Sequence, residues 1–117
     1  MKSIVGLAIF IVFSSTLFLV MLNRDVFLET EEHLYQGYGY DKTGNFELAL
    51  REFNEAIRLD PRYAKAYSLR GATYDHLNQH QRAIQDFEEA IKLDPELAQA
   101  YRDRGRAYRN LGQDERA

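Results

Sequence analysis

Hydrophobic and polar positions follow two regimes along this chain. Residues 4–22, IVGLAIFIVFSSTLFLVML, run nineteen positions without a charge. As a helix rising about 1.5 Å per residue, the run covers about 28 Å, close to the ~30 Å hydrocarbon core of a bilayer. Ser14, Ser15 and Thr16 sit in its middle, where their hydroxyls can bond back to carbonyls three or four residues earlier. From residue 30 onward the chain repeats instead, with charged residues interspersed and two Asp-Pro pairs as punctuation.

The repeat is 34 residues long. TEEHLYQGYGYDKTGNFELALREFNEAIRLDPRY is followed by AKAYSLRGATYDHLNQHQRAIQDFEEAIKLDPEL and then by the shorter AQAYRDRGRAYRNLGQDERA. Position 8 is Gly37, Gly71 and Gly105; position 11 is Tyr40, Tyr74 and Tyr108; position 20 is Ala49, Ala83 and Ala117. In the two full copies Phe53 and Phe87, Ala56 and Ala90, Leu59 and Leu93, Asp60 and Asp94, and Pro61 and Pro95 coincide as well. Over residues 30–117 this resembles the tetratricopeptide repeat, which has the same length and an aromatic, Gly, Tyr, Ala, Phe, Ala and Pro at these places. Two departures stand out: the first aromatic slot holds His33, Tyr67 and Tyr101, and the Leu slot before the glycine holds Gln36, Arg70 and Arg104.

The expected fold is therefore all-α: an antiparallel helix-pair solenoid of about two and a half repeats, preceded by one membrane-spanning helix. Its parts are a flank (1–3), an anchor or signal segment (4–22), a linker (23–29), a first repeat (30–63), a second (64–97), and a partial third repeat or capping helix (98–117). Gly at position 8 and Ala at positions 20 and 27 let the two helices of a pair approach. The rings at positions 11 and 24 fill the layer between pairs, and Asp-Pro closes the second helix, because proline lacks the N–H that the next helical bond needs. One pair cannot bury its apolar face alone, so stacking makes the core.

Candidate chemistry changes this picture little. Asp41-Lys42-Thr43-Gly44 spells the phosphorylation tetrapeptide of P-type ATPases, but it occupies the turn between helices, aligned with Asp75–Asn78 and Arg109–Gly112. Gly44, Asn78 and Gly112 fill a left-handed cap slot. His76 and His80, four apart, straddle the same turn and have no third ligand nearby, so no metal is expected. His33 reads as packing, and Glu31-Glu32 and Glu88-Glu89 as solvated faces. With no cysteine, thiolate chemistry is excluded. A net charge of −3 argues against general nucleic-acid binding. No catalytic residue, cofactor or enzymatic activity is expected.

What remains is binding. The resemblance implies a concave groove built from the first helix of each pair, with Leu34, Tyr35, Tyr38, Lys65, Leu69, Arg102, Arg106 and Arg109 as its partner-binding candidates. The ligand would be a protein or an extended peptide. Residues 29–63 carry four basic and eight acidic side chains, and residues 98–117 five basic and three acidic, so the charge changes sign along the groove. Members of the family that clamp acidic chaperone tails use Lys, Asn and Arg where this chain has Leu34, Tyr38, Leu69, Gln99 and Asp103; chaperone-tail binding is not expected.

Lys2 and the terminal amine precede the apolar run, and only Arg24 follows closely. This bias points to a single-pass membrane protein with its amino terminus in the cytoplasm and residues 23–117 outside. The alternative is a cleaved signal and a secreted module, although no Ala-x-Ala site follows the run. A third reading is a self-assembling structural element that associates through its open carboxy-terminal repeat.

Overall fold

The computed structural model describes residues 2–116, with side chains from 15 to 113. Five helices follow one another: α1 (Lys2–Lys42), α2 (Phe46–Leu59), α3 (Ala64–His76), α4 (His80–Leu93) and α5 (Ala98–Arg116). Helices α1 and α2 form one antiparallel hairpin and α3 and α4 the next; α5 lies against the second hairpin.

The turns are set by the residues the repeat places there. Gly44 (φ 81°) and Asn78 (φ 62°) both occupy the left-handed region, as the cap slot predicts. In each turn two bonds close the helix end. Gly44 N–H donates to Asp41 O and Asn45 N–H to Tyr40 O; Asn78 N–H donates to Asp75 O and Gln79 N–H to Tyr74 O. This satisfies carbonyls that the helix would otherwise orphan. At the other ends, Asp60 and Asp94 adopt extended backbone and stop α2 and α4. Their carboxylates accept the N–H two residues on, from Arg62 and Glu96, each at 3.1 Å. The hydroxyls of Tyr67 and Tyr101 then donate to the carbonyls of Pro61 and Pro95, at 2.8 and 3.0 Å. The first aromatic slot thus ties each new hairpin to the turn before it.

The core is small-residue packing around two rings. Phe53 with Leu34, Ala49, Ala56 and Ala66 makes the first cluster; Phe87 with Ala83, Ile84 and Ala107 makes the second. Ala66 belongs to α3 and Ala107 to α5, so each cluster joins a hairpin to the next helix. Each ring lies over a glycine. A Cβ at Gly37 would sit 2.6 Å from Phe53 Cε1, and one at Gly71 2.9 Å from Phe87 Cε1 and 3.1 Å from the Ala83 carbonyl oxygen. No other residue type fits that approach.

Two expectations change, and a third falls largely outside the described residues. The linker expected over 23–29 is helical, because α1 runs unbroken from Lys2 into the first repeat. The turn expected at Arg109–Gly112 does not form; Gly112 lies inside α5, which continues straight to Arg116. Carbonyls that the cap closes at Gly44 and Asn78 are satisfied in α5 by further helix. For the expected membrane span, residues 4–14 lie outside the described side chains, and among the described residues no helix is long and apolar enough to cross a membrane. Leu17 to Leu22 and Val26 to Leu28 are exposed on α1.

Candidate protein-interaction groove

Two cavities lie along one face, where α1, α3 and α5 run side by side. The first, about 260 Å³, is walled by Glu31, Leu34, Tyr35 and Tyr38 of α1 and by Lys65 and Leu69 of α3. Leu34 is buried and forms its floor, continuous with the Phe53 cluster. Tyr35 and Tyr38 stand at the rim, 77% and 48% exposed. The second cavity, about 370 Å³, continues past Tyr38 to Asp41, His76, Gln99, Asp103 and Arg106. Five of the eight sequence candidates therefore meet in one cavity, and Arg106 lines its neighbour. Arg102 and Arg109 are exposed on α5 and border neither; Arg102 instead donates to Gln99 Oε1 at 2.9 Å.

Electrostatically the deeper groove is a set of satisfied pairs. Asp41 accepts from the Thr73 hydroxyl at 2.8 Å and pairs with His76 Nδ1 at 3.0 Å. Its counterpart one repeat on, Asp75, is buried and meets His80 Nδ1 at 2.6 Å, Arg106 Nε at 3.4 Å and Asn110 Nδ2 at 3.2 Å. Asp103 takes two bonds from Gln99 Nε2, each 3.0 Å, and an ion pair from Arg106 at 3.3 Å. Arg106 is thus held by two carboxylates and is not an open clamp for an acidic ligand. Lys65 stands exposed at the first cavity, and Lys42 lies 5.1 Å over the Tyr38 ring.

Sequence reasoning missed several polar roles. His33, read as packing, pairs with Glu52 at 2.6 Å. Glu31, read as solvated, accepts the Tyr63 hydroxyl; burial, then this bond and the nearby carboxylate charge, push the Tyr63 phenol up to about 12. Arg70 in the departed Leu slot donates to both oxygens of Asp86 at 2.8 Å and to Asn54 Oδ1 at 2.8 Å. The bond to Asp86 raises its already high pKa against the opposing effect of burial. The available signal was the recurrence of an acid at position 23 (Glu52, Asp86) and at position 12 (Asp41, Asp75). Among the described residues no cluster of three or more His, Asp or Glu side chains could hold a metal.

Comparison with known proteins agrees with this geometry. Tetratricopeptide-repeat profiles match residues 37–75, 64–97 and 87–117. No curated protein matches the chain by sequence. Among solved structures it is similar to the TPR2B domain of yeast Sti1 in complex with an Hsp70 peptide (28% identity, TM-score 0.71, covering 74% of this chain and 69% of that one). It is also similar to the second TPR of Spaghetti (RPAP3) bound to the HSP90 peptide SRMEEVD (27%, TM-score 0.69, 73% and 79%). A third is MamA (30%, TM-score 0.68), of which the match spans 49%. With three matched profiles, the stacked hairpins and the Gly-on-Phe contacts in place, the chain belongs to the tetratricopeptide-repeat family.

Proposed function

We propose that this protein is a non-catalytic interaction module that holds an extended peptide in the groove of α1, α3 and α5. The observation that carries this is the first cavity: two exposed tyrosines flank an apolar floor of Leu34 and Leu69, with Lys65 and Glu31 at its edges. Aromatic side chains left at a groove rim are the usual energetic anchors of an interface. The ligand places an apolar or aromatic side chain in this cavity. The similar structures that hold chaperone peptides support peptide binding as such. The pairing of Arg106 with Asp75 and Asp103 supports a less acidic ligand here. The pairing of the buried carboxylates and histidines within the fold supports a structural rather than a chemical role for them.

The test is selection of a displayed peptide library on the full chain, followed by the Tyr35→Ala/Tyr38→Ala variant. Selected peptides share an apolar or aromatic residue, and the variant binds them more than about tenfold more weakly at unchanged helicity. Equal binding overturns the groove.

The charge-free run 4–22 favours a second statement, that the module is anchored in a membrane with its repeats outside the cytoplasm. An intact mass of 13.7 kDa in a salt- and carbonate-resistant membrane fraction is expected. A soluble product lighter by roughly 15–25 residues establishes the cleaved, secreted form instead.

A further inference from the structure

The second cavity of the groove differs from the first in carrying both signs of charge on each of its outer walls. Helix α1 contributes Asp41 and Lys42, and α5 contributes Asp103 and Arg106. The two carboxylates are recessed and engaged, Asp41 by the Thr73 hydroxyl and His76, Asp103 by Gln99 and Arg106. Lys42 is exposed and, among the described residues, meets the Tyr38 ring and no carboxylate. A cationic side chain entering here meets Lys42 on one wall and Arg106 on the other, and an anionic one meets Asp41 and Asp103. Either ion loses at one group of each wall what it gains at the next, and gives up its hydration besides.

Between these walls α3 presents Ser68, which lines the cavity and is only 5% exposed. A helical hydroxyl commonly bonds back to the carbonyl three or four residues earlier, as Thr73 does to Leu69 O at 3.2 Å. Ser68 makes no such bond, and among the described residues its hydroxyl has no hydrogen-bond partner. Among those residues no buried side-chain oxygen or nitrogen is sealed away unpaired, so the Ser68 oxygen opens onto the cavity.

The fold itself shows which group suits such surroundings. Gln99, in the wall of the same cavity, donates from its amide nitrogen to both Asp103 oxygens at 3.0 Å. Its carbonyl oxygen meanwhile accepts from Arg102 at 2.9 Å. A carboxamide carries donors and an acceptor on one neutral group, and so serves an acid and a base together.

We propose that the second cavity is a carboxamide subsite, in which the bound peptide places an Asn or Gln side chain against the Ser68 hydroxyl. This rests on the groove reading above and adds a second specificity element to it. The two cavities share Tyr38 and Leu69 as walls, so neighbouring side chains of one peptide fill them. Alternate residues of an extended chain face the same side, about 6.6 Å apart. The carboxamide therefore stands two positions from the apolar or aromatic residue of the first cavity.

The probe is a displayed random-peptide library selected on the full chain. Enrichment of Asn or Gln two positions from an aromatic or apolar residue is expected. The best binder is then synthesised with Gln, Glu, Lys or Met at that position; the last three bind about tenfold or more weakly than the first. On Ser68→Ala, whose fold circular dichroism verifies, the Gln and Met peptides bind equally. On Lys42→Met the Lys peptide binds more tightly than to the parent chain, because Asp41 is then the charge it meets on α1. Peptides that require Tyr35 and Tyr38 but bind alike with Gln, Glu, Lys or Met overturn the subsite and leave the groove standing. A preference for Gln that survives Ser68→Ala also overturns it, since the amide is then held elsewhere. A library yielding no binder sensitive to Tyr35→Ala/Tyr38→Ala overturns both.

Discussion

Phe87 lies across Gly71 so closely that a Cβ on Gly71 would fall 2.9 Å from the ring and 3.1 Å from the Ala83 carbonyl. Neither a rigid ring nor a helix carbonyl can yield cheaply. Gly71→Ala and Gly37→Ala should therefore each lower stability by about 1–3 kcal/mol through overpacking. Gly105→Ala, with open space around it, should raise stability by about 0.5–1 kcal/mol. Urea unfolding of the three variants gives opposite signs; equal effects at Gly71 and Gly105 would contradict the packing described.

The two turn slots separate in the same way. Gly44 holds φ 81°, and Gly44→Ala should cost about 1–2 kcal/mol from left-handed strain. Gly112 is helical, so Gly112→Ala should add helicity to α5 and stabilise by up to about 1 kcal/mol. Thermal unfolding followed by circular dichroism reads both.

Arg70 and Asp86 form the principal ion pair beneath the second hairpin. Asp86→Ala should cost about 2–4 kcal/mol, less than for a fully sealed pair because Arg70 keeps some solvent. Arg70→Leu combined with Asp86→Leu should cost less than the two single changes added together, because no buried charge is left unpaired. A double-mutant cycle measures this non-additivity.

Tyr63 gives the fold an alkaline limit. Its phenol titrates near 12 when folded and near 10 when unfolded, so the folded state holds the proton more tightly. The contribution to stability is complete below about pH 10 and is lost as pH rises through about 12. Stability measured from pH 9 to 12 should fall, and Tyr63→Phe should flatten that fall.

Gly39 sits inside α1 where the other copies have Thr73 and Ala107, and nothing packs against its Cβ direction. Amides of residues 33–41 should exchange faster than those of 67–75. Equal protection would show that Phe53 and Tyr40 hold the first hairpin as firmly as the second is held.

The fold was largely legible because its rules are local or strictly periodic. Asp60-Pro61 ends a helix wherever it stands, and the 34-residue spacing pairs Gly37 with Phe53 and Gly71 with Phe87. Five groove candidates met for the same reason, since their positions on successive helices follow the repeat. Illegible were features that depend on geometry across helices. The pairing of His33 with Glu52, or of Asp75 with Asn110, joins residues 19 and 35 positions apart, and although the acids recur, their partners His33 and Asn110 do not. Arg102 and Arg109 fell outside the cavities because α5 presents them to solvent.

The unbroken course of α1 makes the groove and the apolar segment two ends of one rod. Its 41 residues extend about 60 Å. Tyr35 and Tyr38 near one end are therefore joined to the preceding segment by continuous helix, with no loop between them. Tilting the hairpin by about 10° sweeps the distant end of a ~40 Å arm through roughly 7 Å. Any tilt of the first hairpin is therefore carried along α1 toward its amino-terminal end.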